Sequence, residues 1–207
     1  MELVAATKNK GKLAEFAQLF ADYDVVILSL DALGIGIDIE ETGTTFAENA
    51  RIKAETIYHL TGRAAIADDS GLCVDALGGA PGVYSARYGG PGLDDVGRYQ
   101  KLLEEMKDVP DAERTAYFAC AICCVLPDMT IETQGKNRGY ILREPRGKGG
   151  FGYDPVFLPV DYVQDGRSYG ELTPEEKNAI SHRGRAIAAL EEQLRKYAQL
   201  EKRRETR

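Results

Sequence analysis

Hydrophobic residues recur along the chain with two different periods, and each period predicts one type of element. Apolar residues three or four positions apart, such as Leu13, Phe16 and Phe20, give a helix one apolar face. Short runs rich in apolar and β-branched residues predict buried strands. The strands predicted in this way are residues 3–7, 24–30, 64–71, 114–126 and 130–142. Five helices are predicted. The first follows the turn 8–11, the second follows a capping box of Thr45 and Glu48, and the third spans 93–107. The fourth begins at Thr173, and the fifth follows Ser181.

The order of these elements predicts an α/β fold. Strands alternate with helices along most of the chain, and a hairpin across Pro127 and Asp128 makes the expected sheet a mixed one. The strand at 64–71 is expected to end at Ser70 and Gly71, which favour a turn. No linker is long enough to separate independent domains, so residues 1–207 are predicted to form one domain with a frayed, charged tail at about 198–207.

Composition and charge exclude several classes of protein. The chain has 26 Lys and Arg against 33 Asp and Glu, a net charge of −7, and 43% of its residues are hydrophobic. The apolar fraction is ordinary for a globular protein, and the acidic balance argues against a protein that coats nucleic acid. No run of eighteen apolar residues and no secretory signal is found, so we expect a soluble, cytoplasmic protein with neither a nucleic-acid nor a membrane partner.

The four cysteines are predicted to be structural. Cys120, Cys123 and Cys124 lie in one strand-like segment that lacks the Gly or Pro turn of a zinc knuckle. Together with Cys73 they are expected to be buried, reduced thiols.

Residues 7–12 connect the first predicted strand to the first predicted helix. They are Thr7, Lys8, Asn9, Lys10, Gly11 and Lys12. Unpaired N–H groups and the positive end of the helix dipole make such a junction suitable for a phosphate. A solvated, lysine-rich turn explains the same residues, and the Walker A sequence is absent.

Two acidic pairs, Asp68–Asp69 and Glu40–Glu41, are candidate ligands for a divalent cation. Two close carboxylates repel each other, and Mg²⁺ prefers oxygen ligands together with substrate phosphates. Adjacent strand residues point to opposite faces, so Asp68 and Asp69 can share a site only if the strand ends there. Two solvated acidic turns are the alternative interpretation.

The glycine-rich segment 147–155 contains the sequence GKGGFG. A dinucleotide-binding fingerprint must open a helix, but here Pro155 and an apolar run follow, so that interpretation is rejected. A protein-kinase loop is rejected because no catalytic-loop signature follows. The loop instead exposes backbone groups, and its aromatic and acidic residues are suited to stack on a base and to hydrogen-bond it.

Further candidates lie around the start of the last predicted helix. Lys177, His182 and Arg183 are donors, and the last two lie where a helix N-terminus can face a ligand. A lone histidine is more often structural. His59, late in another helix, is assigned no role.

Together these segments resemble the inosine/xanthosine triphosphate pyrophosphatase family, the HAM1-like enzymes for non-canonical purine nucleoside triphosphates. The matching stretches are TKNKGK, EETGTTFAENA, ADDSGLCVDALGGAPGVYSARY, GGFGYDPVF and ISHRG. Each stretch is weak alone, but five in this order and spacing are specific. The resemblance covers about residues 3–194, and no motif position departs from the family pattern.

The resemblance implies an elongated mixed β-sheet flanked by helices, in two lobes with a nucleotide cleft between them. It implies a homodimer that uses Mg²⁺ to hydrolyse ITP, dITP or XTP to the monophosphate and pyrophosphate, which cleanses the nucleotide pool. Two other functions stay open: a pyrophosphatase for pyrimidine or modified nucleoside triphosphates, and a nucleotide sensor without catalysis.

The resemblance also implies a role for each candidate residue. Asp69 is the general base and a metal ligand, and Glu41, Glu40 and Asp68 complete the metal site. Spacing does not rank the neighbours Glu40 and Glu41. The residues implied to bind the nucleotide are Thr7, Lys8, Asn9, Lys10, Gly11, Lys12, Ser70, Phe151, Gly152, Tyr153, Asp154, Lys177, His182 and Arg183.

Overall fold

Six strands form one sheet in the computed structural model of the chain, which describes residues 1–21 and 25–205. The strands are β1 (Glu2–Ala5), β2 (Val26–Ser29), β3 (Ala65–Val74), β4 (Thr115–Val125), β5 (Thr130–Ile141) and β6 (Phe157–Pro159). Their order is β2-β1-β3-β4-β5-β6. β1 is parallel to β2 and to β3, whereas β5 and β6 are antiparallel. The prediction of an α/β fold with a mixed sheet is therefore confirmed.

The predicted helices are also found within the described ranges. They are α1 (Lys10–Leu19), α2 (Phe46–Thr61), α3 (Asp95–Glu105), α4 (Pro174–Ile180) and α5 (His182–Glu205). The predicted capping box precedes α2: Glu48 N donates to Thr45 Oγ1 at 3.2 Å, and Thr45 N donates to Glu48 Oε2 at 3.0 Å. Thr173 and Glu176 form the same arrangement before α4. Each box satisfies backbone N–H groups that the first turn of a helix leaves unpaired.

Strand β3 continues beyond its predicted end. It runs from Ala65 to Val74, so the turn predicted at Ser70 and Gly71 is wrong. Nine of its ten residues are buried, and the strand lies between β1 and β4. Backbone groups in such a central strand have no access to water, so the hydrogen bonds of the sheet outweigh the preference of Gly71 for a turn.

The first of two compact units contains Met1–Asp69, Ala121–Gly135 and the chain from Arg183 onward. In its core, α2 packs through Ala50, Ala54 and Ile57 against small residues of β3. Small side chains on both elements permit a close approach of helix and strand. This packing is what brings the polar edge of α2 to Asp69, in the middle of β3.

The second unit contains Ser70–Cys120 and Lys136–His182. Its core is rich in aromatic residues. The ring of Phe118 lies edge-to-face with Phe157, with centroids 4.8 Å apart, and is stacked with Tyr169 at 5.7 Å. Both arrangements are favourable for aromatic quadrupoles and stabilise this core beyond simple burial. That residues 1–207 act as one domain stays a prediction.

The hairpin and the buried cysteines were predicted correctly. β4 and β5 are joined through residues 126–129, where Leu126 N donates to Met129 O at 2.8 Å. All four cysteines are buried. Burial raises the pKa of the Cys123 and Cys124 thiols to about 12, so both stay protonated at neutral pH.

The ends of two predicted segments lie outside the described residues. Asp24, at the start of the predicted strand 24–30, is one of them. α5 extends to Glu205, whereas residues 206–207 and the side chains from 198 onward are not described, so the fraying of about 198–207 stays a prediction. Over the ranges 1–21 and 25–205, no helix is long and apolar enough to cross a membrane.

Candidate active site

The turn before α1 is organised by its own polar side chains. Asn9 caps the helix, because its Oδ1 accepts a hydrogen bond from Lys12 N at 3.1 Å. Asn9 N in turn donates to Thr7 Oγ1 at 3.1 Å. This turn directs the chain into α1, and Lys10 and Gly11 form the first positions of the helix. The N–H groups of a first turn favour a bound anion.

The three lysines around the start of α1 have different surroundings. Lys8 is exposed and pairs at 2.5 Å with Asp38, which is also exposed. Lys10 is exposed as well. The Lys12 side chain is largely buried, and its Nζ lies 3.2 Å from Asp68 Oδ2. Of the three, Lys12 is therefore the one that belongs to a buried charged site.

Asp68 and Asp69 lie on opposite faces of β3. Asp68 contacts side chains of α1 and α5, whereas Asp69 contacts side chains of α2. Side chains alternate along a strand, and β3 does not end at Ser70. The carboxylates are thus neighbours in sequence but have separate sets of partners within the first unit.

Asp68 is fully buried and forms ion pairs with two cations. Arg183 donates to its Oδ2 from Nη2 at 2.8 Å and from Nε at 3.2 Å, and Lys12 approaches the same oxygen. Burial alone would raise the pKa of Asp68, but the charges of Lys12, Arg183 and Lys53 outweigh burial and lower the pKa well below its ordinary value. Arg183 is itself buried and also pairs with Glu15. Asp68 is therefore an ionised carboxylate whose negative charge is balanced by the two cations that it contacts.

The charges and hydrogen bonds around Asp69 compensate less for its burial than those around Asp68 do. Asn49 Nδ2 donates to its Oδ2 at 3.1 Å, and Lys53 Nζ lies 3.4 Å from its Oδ1. Burial raises the pKa of Asp69, and the nearby charge of Glu41 adds to this effect, whereas Lys53 and Lys12 oppose it. A carboxylate with a raised pKa accepts a proton more readily, which suits a general base.

Lys53 joins Asp69 to the acidic loop before α2. Its Nζ lies 2.6 Å from Glu41 Oε1 as well as close to Asp69. Burial would lower the pKa of Lys53, but the charges of Asp69, Asp68 and Glu41 raise it, so the side chain stays an ammonium. Glu40 is exposed. Of the two loop glutamates, Glu41 is the one that reaches Asp69.

Glu41 and Asp69 provide oxygen ligands that fit Mg²⁺. Among the described residues, no three His, Cys, Asp or Glu side chains are grouped closely enough to hold a metal ion by themselves. Mg²⁺, however, commonly takes one or two carboxylates and completes its shell with water and substrate phosphates. The two carboxylates already surround a positive charge, the Lys53 ammonium, so their arrangement suits a cation.

In the second unit, the glycine-rich loop is closed by Asp154. Its Oδ2 accepts hydrogen bonds from Phe151 N at 2.8 Å and from Lys177 Nζ at 2.7 Å. Lys177 Nζ also lies 4.7 Å from the centroid of the Phe151 ring, within range of a cation–π interaction. Gly150 has φ +72°, and a Cβ there would lie 2.0 Å from Asp154 Oδ2. Only glycine permits this closed loop.

Gly152 and Tyr153 are fixed by hydrogen bonds within the same unit. Gly152 N donates to Asp95 Oδ2 at 2.8 Å, and the Tyr153 hydroxyl donates to Ser85 O at 2.9 Å. The chain then makes one 3₁₀ turn and enters β6 rather than a helix. The rejection of a dinucleotide-binding fingerprint is therefore confirmed.

The two histidines and Ser70 have distinct positions. His182 is buried, and its ring is stacked on Phe118 with centroids 4.8 Å apart and planes at 11°. Ser70 is half-buried within β3. His59 lies near the end of α2 beside the ring of Tyr58. His182 therefore lies in the aromatic core of the second unit rather than at the surface.

Two contacts of Asp69 were missed by sequence reasoning. Asn49 and Lys53 are four residues apart on α2 and border its apolar stripe. Such positions share one face of a helix, so a buried polar pair on the edge of an apolar stripe was the available signal. The buried amide and the buried ammonium both belong to the site.

Comparison with known proteins gives one consistent result over almost the whole chain. A sequence model described as the Ham1 family matches residues 3–193. The dITP/XTP pyrophosphatase of Geobacillus kaustophilus is 52% identical over 194 residues, which are 93% of each chain. That of Shigella flexneri is 50% identical over 197 residues, which cover 94% of this chain and 98% of the relative. A solved HAM1 protein from Coxiella burnetii has a TM-score of 0.84 and 44% identity, covering 95% of this chain and 99% of that one.

Proposed function

Because the chain belongs to the Ham1 family, we propose that it hydrolyses non-canonical purine nucleoside triphosphates. It converts ITP, dITP or XTP to the monophosphate and pyrophosphate and so removes these nucleotides from the pool. Identity of about one half to dITP/XTP pyrophosphatases, over nearly the full length of both chains, supports this activity. The family resemblance that the five sequence motifs indicated is confirmed.

The grouping of Asp69, Glu41 and Lys53 is the observation that carries the proposed mechanism. Asp69 takes the proton of the attacking water, a role that its buried position and raised pKa support. Lys53 holds the two carboxylates near each other and offsets part of their repulsion. A pure binder of a polyanion gains little from two such carboxylates, so the grouping favours a catalyst over a sensor.

We assign Mg²⁺ to the carboxylates of Glu41 and Asp69. When bound, the ion supplies positive charge that stabilises the phosphoryl group during transfer. Glu40 and Asp68 were also predicted as ligands, and they stay predicted members of the acidic site. In the structure Asp68 lies on the opposite face of β3 from Asp69, beside Lys12.

We assign the triphosphate to the start of α1. Its proposed ligands are Thr7, Lys8, Asn9, Lys10, Gly11 and Lys12. The N-cap geometry and the Lys12 ammonium support this assignment, because both favour negative charge at the helix N-terminus.

We assign further contacts with the nucleotide to residues later in the chain. These residues are Ser70, Phe151, Gly152, Tyr153, Asp154, Lys177, His182 and Arg183. Hypoxanthine and xanthine carry a 6-oxo acceptor, whereas adenine carries a 6-amino donor. A donor such as Lys177 would pair with the oxygen but would face an N–H group in ATP. Each unpaired buried polar group costs about 1–3 kcal/mol, so a few mismatches give decades of discrimination.

The proposal includes a homodimer in the cytoplasm, as the family resemblance implies. Light scattering coupled to size-exclusion chromatography measures the mass in solution. A monomer at micromolar concentration would remove the dimer from the proposal.

The decisive experiment is hydrolysis of a nucleotide panel with identification of the products. ITP, dITP and XTP should release pyrophosphate with kcat/KM at least about a hundredfold above that for ATP. Activity should disappear with EDTA and return with Mg²⁺. Preferred turnover of dUTP or dTTP would favour a pyrimidine enzyme, and binding without turnover would favour a sensor. Release of orthophosphate would contradict the proposed scissile bond.

A further inference from the structure

Asn49 is completely buried, and each end of its amide has a partner. Its Nδ2 donates to Asp69 Oδ2 at 3.1 Å, and its Oδ1 accepts from Gly43 N at 2.8 Å. A flipped amide would place an oxygen against the carboxylate and an NH₂ group against an N–H, so the neighbours determine the orientation. One side chain of α2 therefore connects β3 to the loop that carries Glu41.

The two oxygens of Asp69 have different partners. Oδ2 accepts the N–H of Asn49, whereas Oδ1 lies near Lys53 Nζ. That same ammonium binds Glu41 Oε1 at 2.6 Å. The Oδ1 side of Asp69 is thus the side shared with Glu41.

The contact between Asn49 and the acidic loop is tightly packed. A Cβ at position 43 would lie 2.6 Å from Asn49 Oδ1 and 2.6 Å from Glu48 Cβ. Asn49 is buried, and Glu48 is held by its capping box, so neither group can easily move away. Gly43 is therefore required for the close approach, and the loop position depends on Asn49.

We infer that Asn49 is a positioning residue for Asp69. By holding Oδ2 it presents Oδ1 as the oxygen that faces Glu41 and that would hold the cation. The inference rests on the proposed function and adds to it the assignment of one oxygen and one further residue. Asn49 is completely buried and acts through its contact with Asp69.

Two substitutions separate this role from a purely structural one. Asn49→Leu keeps the size and branching of the side chain and removes both hydrogen bonds. Asn49→Asp keeps an acceptor for Gly43 N but replaces the donor that faces Asp69 by a second acceptor. Thr133→Val is the matched control, because it removes another buried hydrogen bond of the same unit, from Thr133 Oγ1 to Ala186 O at 2.9 Å.

Steady-state hydrolysis of ITP measures the effect on catalysis. Both Asn49 variants should lose about 10- to 100-fold in kcat, the worth of one hydrogen bond to a charged group, while KM stays within about threefold. Thr133→Val should lose stability to urea but keep kcat. A wild-type kcat for Asn49→Asp beside a slow Asn49→Leu would overturn the inference, because Asn49 would then serve only the Gly43 loop.

Titration with Mn²⁺ alone gives a readout that needs no turnover. Asn49→Leu should bind the ion about three- to tenfold more weakly than the wild type, and Thr133→Val should bind it equally well. Unchanged affinity, or a wild type that binds no Mn²⁺, contradicts the inference. If the wild type binds Mn²⁺ but releases no pyrophosphate, the proposed function fails and the titration still decides the role of Asn49. Should Asn49→Leu fail to fold, the kcat of Asn49→Asp decides.

Discussion

Two adjacent carboxylates of β3 are both buried, yet their pKa values shift in opposite directions. On the side of α1 and α5, Asp68 forms ion pairs with Lys12 and Arg183, and its pKa is lowered. On the side of α2, Asp69 shares one ammonium with Glu41, and burial raises its pKa. The comparison teaches that the supply of opposite charge, and not burial, decides which carboxylate is a fixed anion and which can act as a base.

The largest effect is expected from Asp69→Asn. Removal of a general base should lower kcat for ITP by about two to four decades, with little change in KM. The variant should be as stable as the wild type or more stable, because burial of the charged form no longer opposes folding. Urea unfolding and ITP hydrolysis at saturating Mg²⁺ test both parts. Retention of most activity by the folded variant would end the catalytic role of Asp69.

Asp68→Asn should instead have its main effect on the free energy of unfolding. It leaves the buried Arg183 and Lys12 without one anionic partner, and removal of one member of a buried pair typically costs about 3–5 kcal/mol in free energy of unfolding. The measurement is urea unfolding at neutral pH. A loss below about 1 kcal/mol would show that the ion pairs on this face contribute little.

The lysines around the start of α1 should also differ from each other. Lys12→Met should raise KM for ITP about 10- to 100-fold. Solvent screens a largely buried ammonium less than an exposed one, so its attraction to the triphosphate is stronger. Lys8→Met gives the comparison. Lys8 is also a proposed ligand of the triphosphate, but it is exposed, so its substitution should raise KM less than Lys12→Met does. Equal effects of the two variants would contradict the special position of Lys12.

The smallest effect is expected in the dependence of stability on pH. The folded-state pKa of Asp68 is lowered, so its contribution to stability is present above its unfolded pKa of about 3.9 and is lost as the pH falls below it. Urea unfolding between pH 7 and pH 3 should therefore show a shallower acid loss for Asp68→Asn, by up to about 1.4 kcal/mol per pH unit. Identical pH profiles of variant and wild type would argue against the lowered pKa.

Much of the fold follows from patterns that act within a few residues. The apolar stripe and capping box of α2, the hairpin of β4 and β5 and the proline at the start of α4 depend on local geometry, so sequence was sufficient to predict them. The length of β3, in contrast, could not be predicted from its local sequence. Its central place in the sheet outweighed the turn preference of Gly71, and that place is known only once the strands are assembled.

The candidate site likewise has features that local sequence predicts and features that depend on tertiary packing. Neighbouring acidic residues could be recognised in sequence, but which of them face each other depends on how α2 lies along β3. That packing brings Lys53 to Glu41 and Asp69, and it leaves Glu40 exposed. It also gives Asn49 its two partners, which lie 6 and 20 positions away in sequence. Contacts across such separations follow from tertiary packing and cannot be read from spacing alone.

The protonated thiols of β4 provide a built-in reporter of sheet opening. Alkylating reagents attack thiolates, and Cys123 and Cys124 can form them readily only when water reaches the strand. The rate of their modification therefore measures how often this strand separates from its neighbours. The chain has no tryptophan whose fluorescence could follow unfolding. The modification rate of the two thiols can be used instead to follow the opening of the sheet.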